Sequence, residues 1–145
     1  MEKPSILLVE DNPDDVELTL RVFKAQGLSA EVMVARDGVE ALEVLLGSPH
    51  RPPVRLPRVV LLDLKLPKVD GLEVLRRIRA EPTIAQLPVV VMTTSREERD
   101  LVASYELGAN SYVQKPVGFE AFSEAVRCLG SYWLTLNVTP HFPGR

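Results

Sequence analysis

Apolar runs too short to be helices punctuate the chain. Ile6-Leu7-Leu8-Val9, Val59-Val60-Leu61-Leu62 and Val89-Val90-Val91-Met92 contain no polar alternation. Strands buried on both faces have this pattern, which predicts a parallel sheet covered by helices. Glu31–Ala35 and Ser111–Gln114 supply a second and a fifth strand. The sequence between the strands has helical spacing. Asn12-Pro13 opens the first helix, with Asn as cap and Pro in the first turn. Val16, Leu20 and Phe23 share one face of it, and Gly27 ends it. Asp37-Gly38 caps a helix carrying Leu42, Leu45 and Leu46. A third helix carries Val74, Leu75 and Ile78 and ends before Pro82. A fourth runs from about Glu97 to Leu107, and a fifth starts near Gly118. Residues 47–57 hold four prolines and no periodicity, so they read as a surface loop.

The order is therefore βαβαβαβαβα. Right-handed crossovers put helices on both sides of the sheet. This predicts an α/β fold with a doubly wound five-stranded parallel sheet, strand order 2-1-3-4-5. A length of 145 residues suits one domain. Residues 1–133 form it, and 134–145, with Pro140 and Pro143, form an extended arm or tail. The fifth helix carries two apolar stripes. Phe119, Phe122, Val126, Leu129 and Trp133 make one; Ala121, Ala125, Cys128 and Tyr132 make the other. One stripe is enough to pack on a sheet. The second is covered either by the chain's own helix and arm or by another chain. In the second case Phe122, Ala125, Leu129, Tyr132 and Trp133 line a homodimer interface.

Composition narrows the classes. Net charge is −3 and the basic residues are scattered, which argues against a nucleic-acid-binding face. No apolar run approaches the ~20 residues that cross a bilayer, which argues against a membrane protein. Met1-Glu2-Lys3-Pro4 leads straight into a strand, with no secretory leader. Cys128 is the one cysteine, so no internal disulfide forms. These features favour a cytoplasmic protein.

The chemistry lies at the strand ends. Strand one runs into Glu10-Asp11, strand three into Asp63, strand four into Thr93, and strand five into Lys115-Pro116. In parallel strands all these groups stand on one edge, where doubly wound sheets bind ligands. Three carboxylates together resist ionisation, and a hard divalent cation relieves that conflict. Mg²⁺, with Mn²⁺ as the alternative, would take oxygens from Glu10, Asp11 and Asp63, a backbone carbonyl near Lys65, and waters. Asp63 is then the natural nucleophile for a phosphoryl group. The transferring group spreads negative charge over its oxygens, and Lys115 and Thr93 can meet it. A cis Lys115-Pro116 bond fits the turn. Each residue has a plainer reading: solvated turn, helix cap or surface Lys-Pro. Asp14 and Asp15 read as favourable charges in a helix's first turn. The ordered set of five groups points to the shared site.

These residues resemble the receiver domains of bacterial two-component response regulators, which have a flavodoxin-like (βα)5 fold. The matching pieces are Val9-Glu10-Asp11-Asn12, Leu62-Asp63-Leu64, Leu66-Pro67 with Asp70-Gly71, Met92-Thr93-Thr94, Gly108 to Tyr112, and Gln114-Lys115-Pro116. The resemblance runs from about Ser5 to Leu129. It implies that Asp63 is the phosphoacceptor, Glu10 and Asp11 the Mg²⁺ acids, Thr93 the switch hydroxyl and Tyr112 the aromatic that moves with it. It implies Lys115 as the charge partner of the phosphate, and a sensor histidine kinase as donor. Phosphorylation would then rearrange the surface of helix four, strand five and helix five. Thr94 departs from the small residue common after the switch position.

Asn12-Pro13-Asp14-Asp15, Thr93-Thr94-Ser95 and Tyr132-Trp133-Leu134 resemble the regulators paired with cyanobacterial and bacterial phytochromes. That resemblance implies a phytochrome-type kinase and a homodimer through the last helix and arm. Two alternatives remain: a phosphate sink for the kinase, and an aspartate-nucleophile phosphatase. The phosphatase needs an acid two positions after the nucleophile, where Lys65 stands.

Overall fold

Ten regular elements alternate along residues 3–140, which the computed structural model describes. They are β1 (Ser5–Val9), α1 (Pro13–Ala25), β2 (Glu31–Ala35), α2 (Gly38–Leu46), β3 (Val59–Leu62), α3 (Gly71–Ala80), β4 (Val89–Thr93), α4 (Glu98–Glu106), β5 (Ser111–Gln114) and α5 (Phe119–Ser131). The strands form one parallel sheet in the order β2-β1-β3-β4-β5, as the apolar pattern predicts.

Alternating side chains of each strand feed two cores. Leu7, Val9, Val60, Leu62, Val89 and Val91 pack with α2 and α3. Ile6, Leu8, Val59, Leu61, Val90 and Met92 pack with α1 and α5. Burying each such side chain contributes roughly 1.5–3 kcal/mol. With both faces covered, the one place left for polar chemistry is the sheet's carboxyl edge.

Helix α1 begins as expected. The Asn12 side chain accepts from the Asp14 and Asp15 amides, and Pro13 occupies the first turn. Its buried face differs from the expected one. Val16, Thr19, Val22 and Phe23 are buried, whereas Leu20 is exposed. The helix is rotated so that Phe23 and Val22 together meet the sheet and α5.

The C-terminal segment corrects a second expectation. Leu134 does not start an extended arm. α5 continues into a π-helical turn, Tyr132–Leu136, and Trp133 and Leu134 are buried in the α1/α5 core. Arg58 fastens the turn by donating to the Leu134 carbonyl at 3.0 Å. Gln26 ties the end of α1 to Arg127 O (2.9 Å) and Ser131 Oγ (3.2 Å). Residues 141–145 of the expected arm lie outside the described residues. Of the residues expected at a dimer interface, Phe122 and Trp133 are spent on the chain's own core. Ala125 and Leu129 are partly buried against that core, and Tyr132 is exposed. Phe119, expected on the packing stripe, is also exposed. The Lys115-Pro116 bond is trans, since no cis peptide occurs among the described residues.

Candidate functional site

Strand register brings the acids together. Val9 pairs with Leu62, so Glu10 and Asp63 leave neighbouring strands in step. The Asp63 amide donates to the Val9 carbonyl at 3.1 Å, extending the ladder past the strand end. On the other side the Lys115 amide donates to the Thr93 carbonyl at 2.7 Å. Lys115 therefore projects from the same edge. Its ammonium bonds to Glu10, to Asp63 Oδ2 (3.1 Å) and to Asp15 Oδ2 (2.8 Å). Lys115, Glu10 and Asp63 are all buried. The second oxygen of Asp63 accepts from the Lys65 amide at 3.2 Å. Lys65 thus lies beside the site through its backbone while its side chain is exposed.

Glu10, Asp11 and Asp63 form an acidic metal site. One carboxylate oxygen of each lies within 4.8 Å of the other two. The donor set is all oxygen and anionic, with Asp11 exposed at its mouth. Hard cations such as Mg²⁺ and Mn²⁺ suit that chemistry, and the open side leaves room for their waters.

Three carboxylates share one ammonium, and the titration of the site reflects that. Burial pushes Glu10 up to about 7; the bond from Lys115 opposes the rise and the charge of Asp63 adds to it. Burial pulls Lys115 down, but its bonds to Asp15 and Glu10 and the charge of Asp63 outweigh it and raise it overall. The two partners respond differently because the lysine is shared by several carboxylates and each carboxylate has only a share of one lysine.

A pH dependence follows. Folded Glu10 holds its proton up to about 7, against 4.5 ordinarily. The folded state therefore binds more protons than the unfolded chain between those values, and metal-free stability falls as pH rises through that window. Glu10→Gln removes the effect. Its stability gain over wild type is expected to be roughly 2 kcal/mol larger at about pH 8 than at about pH 5. Denaturant titrations of both proteins without metal check this, and equal gains at the two pH values would contradict it.

Thr93 is fully buried at the end of β4, and its hydroxyl accepts from the Ser95 amide at 3.3 Å. The Tyr112 hydroxyl donates to the Ser95 carbonyl at 3.2 Å. Ser95 is thus a node between Thr93 and Tyr112 that its place in the sequence does not reveal. Its own hydroxyl donates to Asp100 Oδ2 at 2.5 Å and accepts from the Glu97 amide, so it also holds the start of α4. Asp15 was missed as well. A carboxylate three residues after an Asn cap looks like an ordinary first-turn charge, and its lysine lies 100 residues away.

Residues 6–127 match the family described as response regulator receiver domain. Among curated proteins, the probable methanogenesis regulatory protein FilR2 of Methanothrix harundinacea is 44% identical, over 93% of this chain and 86% of its own. The response regulator Rcp1 of Synechocystis is 39% identical, over 93% of this chain and 92% of its own. The Mn²⁺-bound crystal structure of Rcp1 superposes with a TM-score of 0.91 at 38% identity, covering 95% of this chain and 99% of that one. The phosphorylated cyanobacterial phytochrome response regulator RcpA gives 0.92 at 36%, covering 97% and 100%. The bacteriophytochrome response regulator AtBRR gives 0.72 at 53%, covering 95% and 100%.

Proposed function

Because the chain belongs to the response regulator receiver family, we propose that it is a signalling module whose Asp63 takes a phosphoryl group from a phytochrome-type sensor histidine kinase. The observation that carries this reading is the position of Asp63. It is buried at the carboxyl edge, held by the Lys115 ammonium and the Lys65 amide, with Glu10 and Asp11 beside it. Members of the family normally act as phosphoacceptors rather than as enzymes. The relationship to Rcp1, RcpA and AtBRR supports the phytochrome pairing.

In the transfer, a carboxylate oxygen of Asp63 attacks phosphorus while the bond from phosphorus to the donor's imidazole nitrogen breaks. The nitrogen's electron pair leaves with the imidazole. Lys115 meets the negative charge on the phosphoryl oxygens. The Lys65 amide keeps Asp63 oriented, and its carbonyl is a candidate metal donor. When bound at Glu10, Asp11 and Asp63, Mg²⁺ or Mn²⁺ supplies charge neutralisation to the carboxylates and the phosphoryl group. Incubation of the protein with Mg²⁺ and a small phosphodonor is expected to add one phosphoryl group, stable in acid and labile in base. No adduct would sink the reading.

Thr93 is the proposed switch. Its hydroxyl leaves the Ser95 amide for a phosphoryl oxygen, which loosens Ser95, Tyr112 and the start of α4 together. Differential contacts of this kind are what shifts a two-state equilibrium. Thr93→Ala should accept phosphate yet lose roughly tenfold of the phosphorylation-dependent change in partner affinity. Partner titrations on fully phosphorylated protein decide it, and a wild-type response would remove Thr93 from the switch.

A homodimer through the C-terminal end of the chain also belongs to the proposal. Tyr132, Leu136 and Val138 are exposed there and form its support. Leu136→Asp combined with Val138→Asp should convert a dimer to a monomer in light scattering. A dimer that survives the pair of changes would place the interface elsewhere.

A further inference from the structure

Every proton of the Lys115 ammonium is committed. It has three N–H groups and three carboxylate acceptors: Glu10, Asp15 Oδ2 at 2.8 Å and Asp63 Oδ2 at 3.1 Å. Two of those acceptors, Glu10 and Asp63, also belong to the acidic metal site with Asp11; Asp15 does not. A divalent cation at that site draws on the same oxygens and adds two positive charges next to a buried ammonium. Like charges at such range repel strongly where water is scarce. Among the described residues Asp15 is the one partner of Lys115 outside the metal set, and it is well fixed. The Asn12 side chain holds the Asp14 and Asp15 amides at 2.9 Å and 3.4 Å, which pins the turn that carries the Asp15 carboxylate.

We infer that Asp15 is a positioning residue for the metal site, retaining the Lys115 ammonium when a divalent cation engages Glu10 and Asp63. It reduces the repulsion between ammonium and metal and leaves Lys115 in place for the phosphoryl group. This rests on the proposed phosphoacceptor reading, in which the same three acids hold the metal. The sequence supplies its own control. Asp14 has the same charge in the same helical turn, is exposed, and makes no bond to Lys115.

The test is Mn²⁺ binding, read from the electron paramagnetic resonance of the free ion, with no phosphodonor present. Asp15→Asn is expected to weaken Mn²⁺ binding about tenfold, the scale on which residues supporting a metal's ligands act. Asp15→Glu, which keeps the charge, should recover most of the loss, and Asp14→Asn should change affinity less than about twofold. In a Lys115→Met background, Asp15→Asn should have almost no further effect, because no ammonium is left to hold. Asp15 is partly exposed in a first helical turn, so these variants keep the fold; Asp15→Ser gives a second reading of the same loss. Equal effects of Asp14→Asn and Asp15→Asn would overturn the inference. So would a full Asp15→Asn effect that persists without Lys115, since Asp15 would then act on the metal by charge alone. Wild-type protein that binds no Mn²⁺ would instead remove the metal site, and the inference with it.

Discussion

Asp63→Asn protein, incubated with Mg²⁺ and a small phosphodonor, takes up no phosphoryl group. The amide has the shape of the carboxylate and can still accept from the Lys65 amide, but it is neutral and a poor nucleophile. Removing a nucleophile costs on the order of 10⁴-fold or more in rate. The loss of function should come without loss of stability. Asp63 is one of three carboxylates bonded to a single ammonium, and its charge helps to hold Glu10 up to about 7. Taking that charge away relieves a conflict, so the thermal midpoint near neutral pH is expected to stay level or rise. Mass spectrometry and a melting curve check both halves. An adduct on the variant would move the acceptor to another residue. A large fall in midpoint would show that the Asp63–Lys115 bond outweighs the crowding.

Gly71→Ala should damage both stability and phosphorylation, although Gly71 carries no chemistry. Gly71 is the first residue of α3, and a Cβ there would sit 2.2 Å from the Asp63 carbonyl oxygen and 2.6 Å from Leu64 Cα. Both are backbone atoms that cannot swing aside. The Gly71 amide also donates to the Leu64 carbonyl at 2.8 Å, so the helix start is bound to the chain that carries the phosphoacceptor. Overpacking of this kind costs about 3 kcal/mol. For a domain of this size that is a fall of roughly 10 °C in thermal midpoint. Displacement of Asp63 by about 1 Å would also slow its phosphorylation on the order of 10²-fold. Gly27 is the contrast. Its φ is +68°, but nothing lies within 4 Å of an added Cβ. Gly27→Ala should cost about 1 kcal/mol, from backbone conformation alone, and leave phosphorylation unchanged. If the two alanines proved equally mild, the close approach at Gly71 would not be what the site requires.

The strand ends were legible because they depend on local pattern. An unalternating apolar run reads as a doubly buried strand. A helical connection makes the next strand parallel, and parallel strands put all their carboxyl ends on one edge. The sequence alone therefore places Glu10, Asp11, Asp63, Thr93 and Lys115 on one edge. The stripes of α5 were legible only as apolar. Which of them the chain would use for itself depended on where α1 and the π-helical turn came to rest.

By itself, the order of residues along the chain determined the fold class, the strand order and the set of acids at the edge, since each follows from periodicities within one element or its connection. Tertiary packing alone decided that Asp15 holds Lys115, that Ser95 joins Thr93 to Tyr112, that Gly71 touches the backbone of Asp63, and that Phe122 and Trp133 face inward. Each of these relations turns on the rotation of a helix or the path of a loop against elements far away in sequence. A shift of about an ångström, or about 100° of helix rotation per residue, changes the partner without changing the pattern.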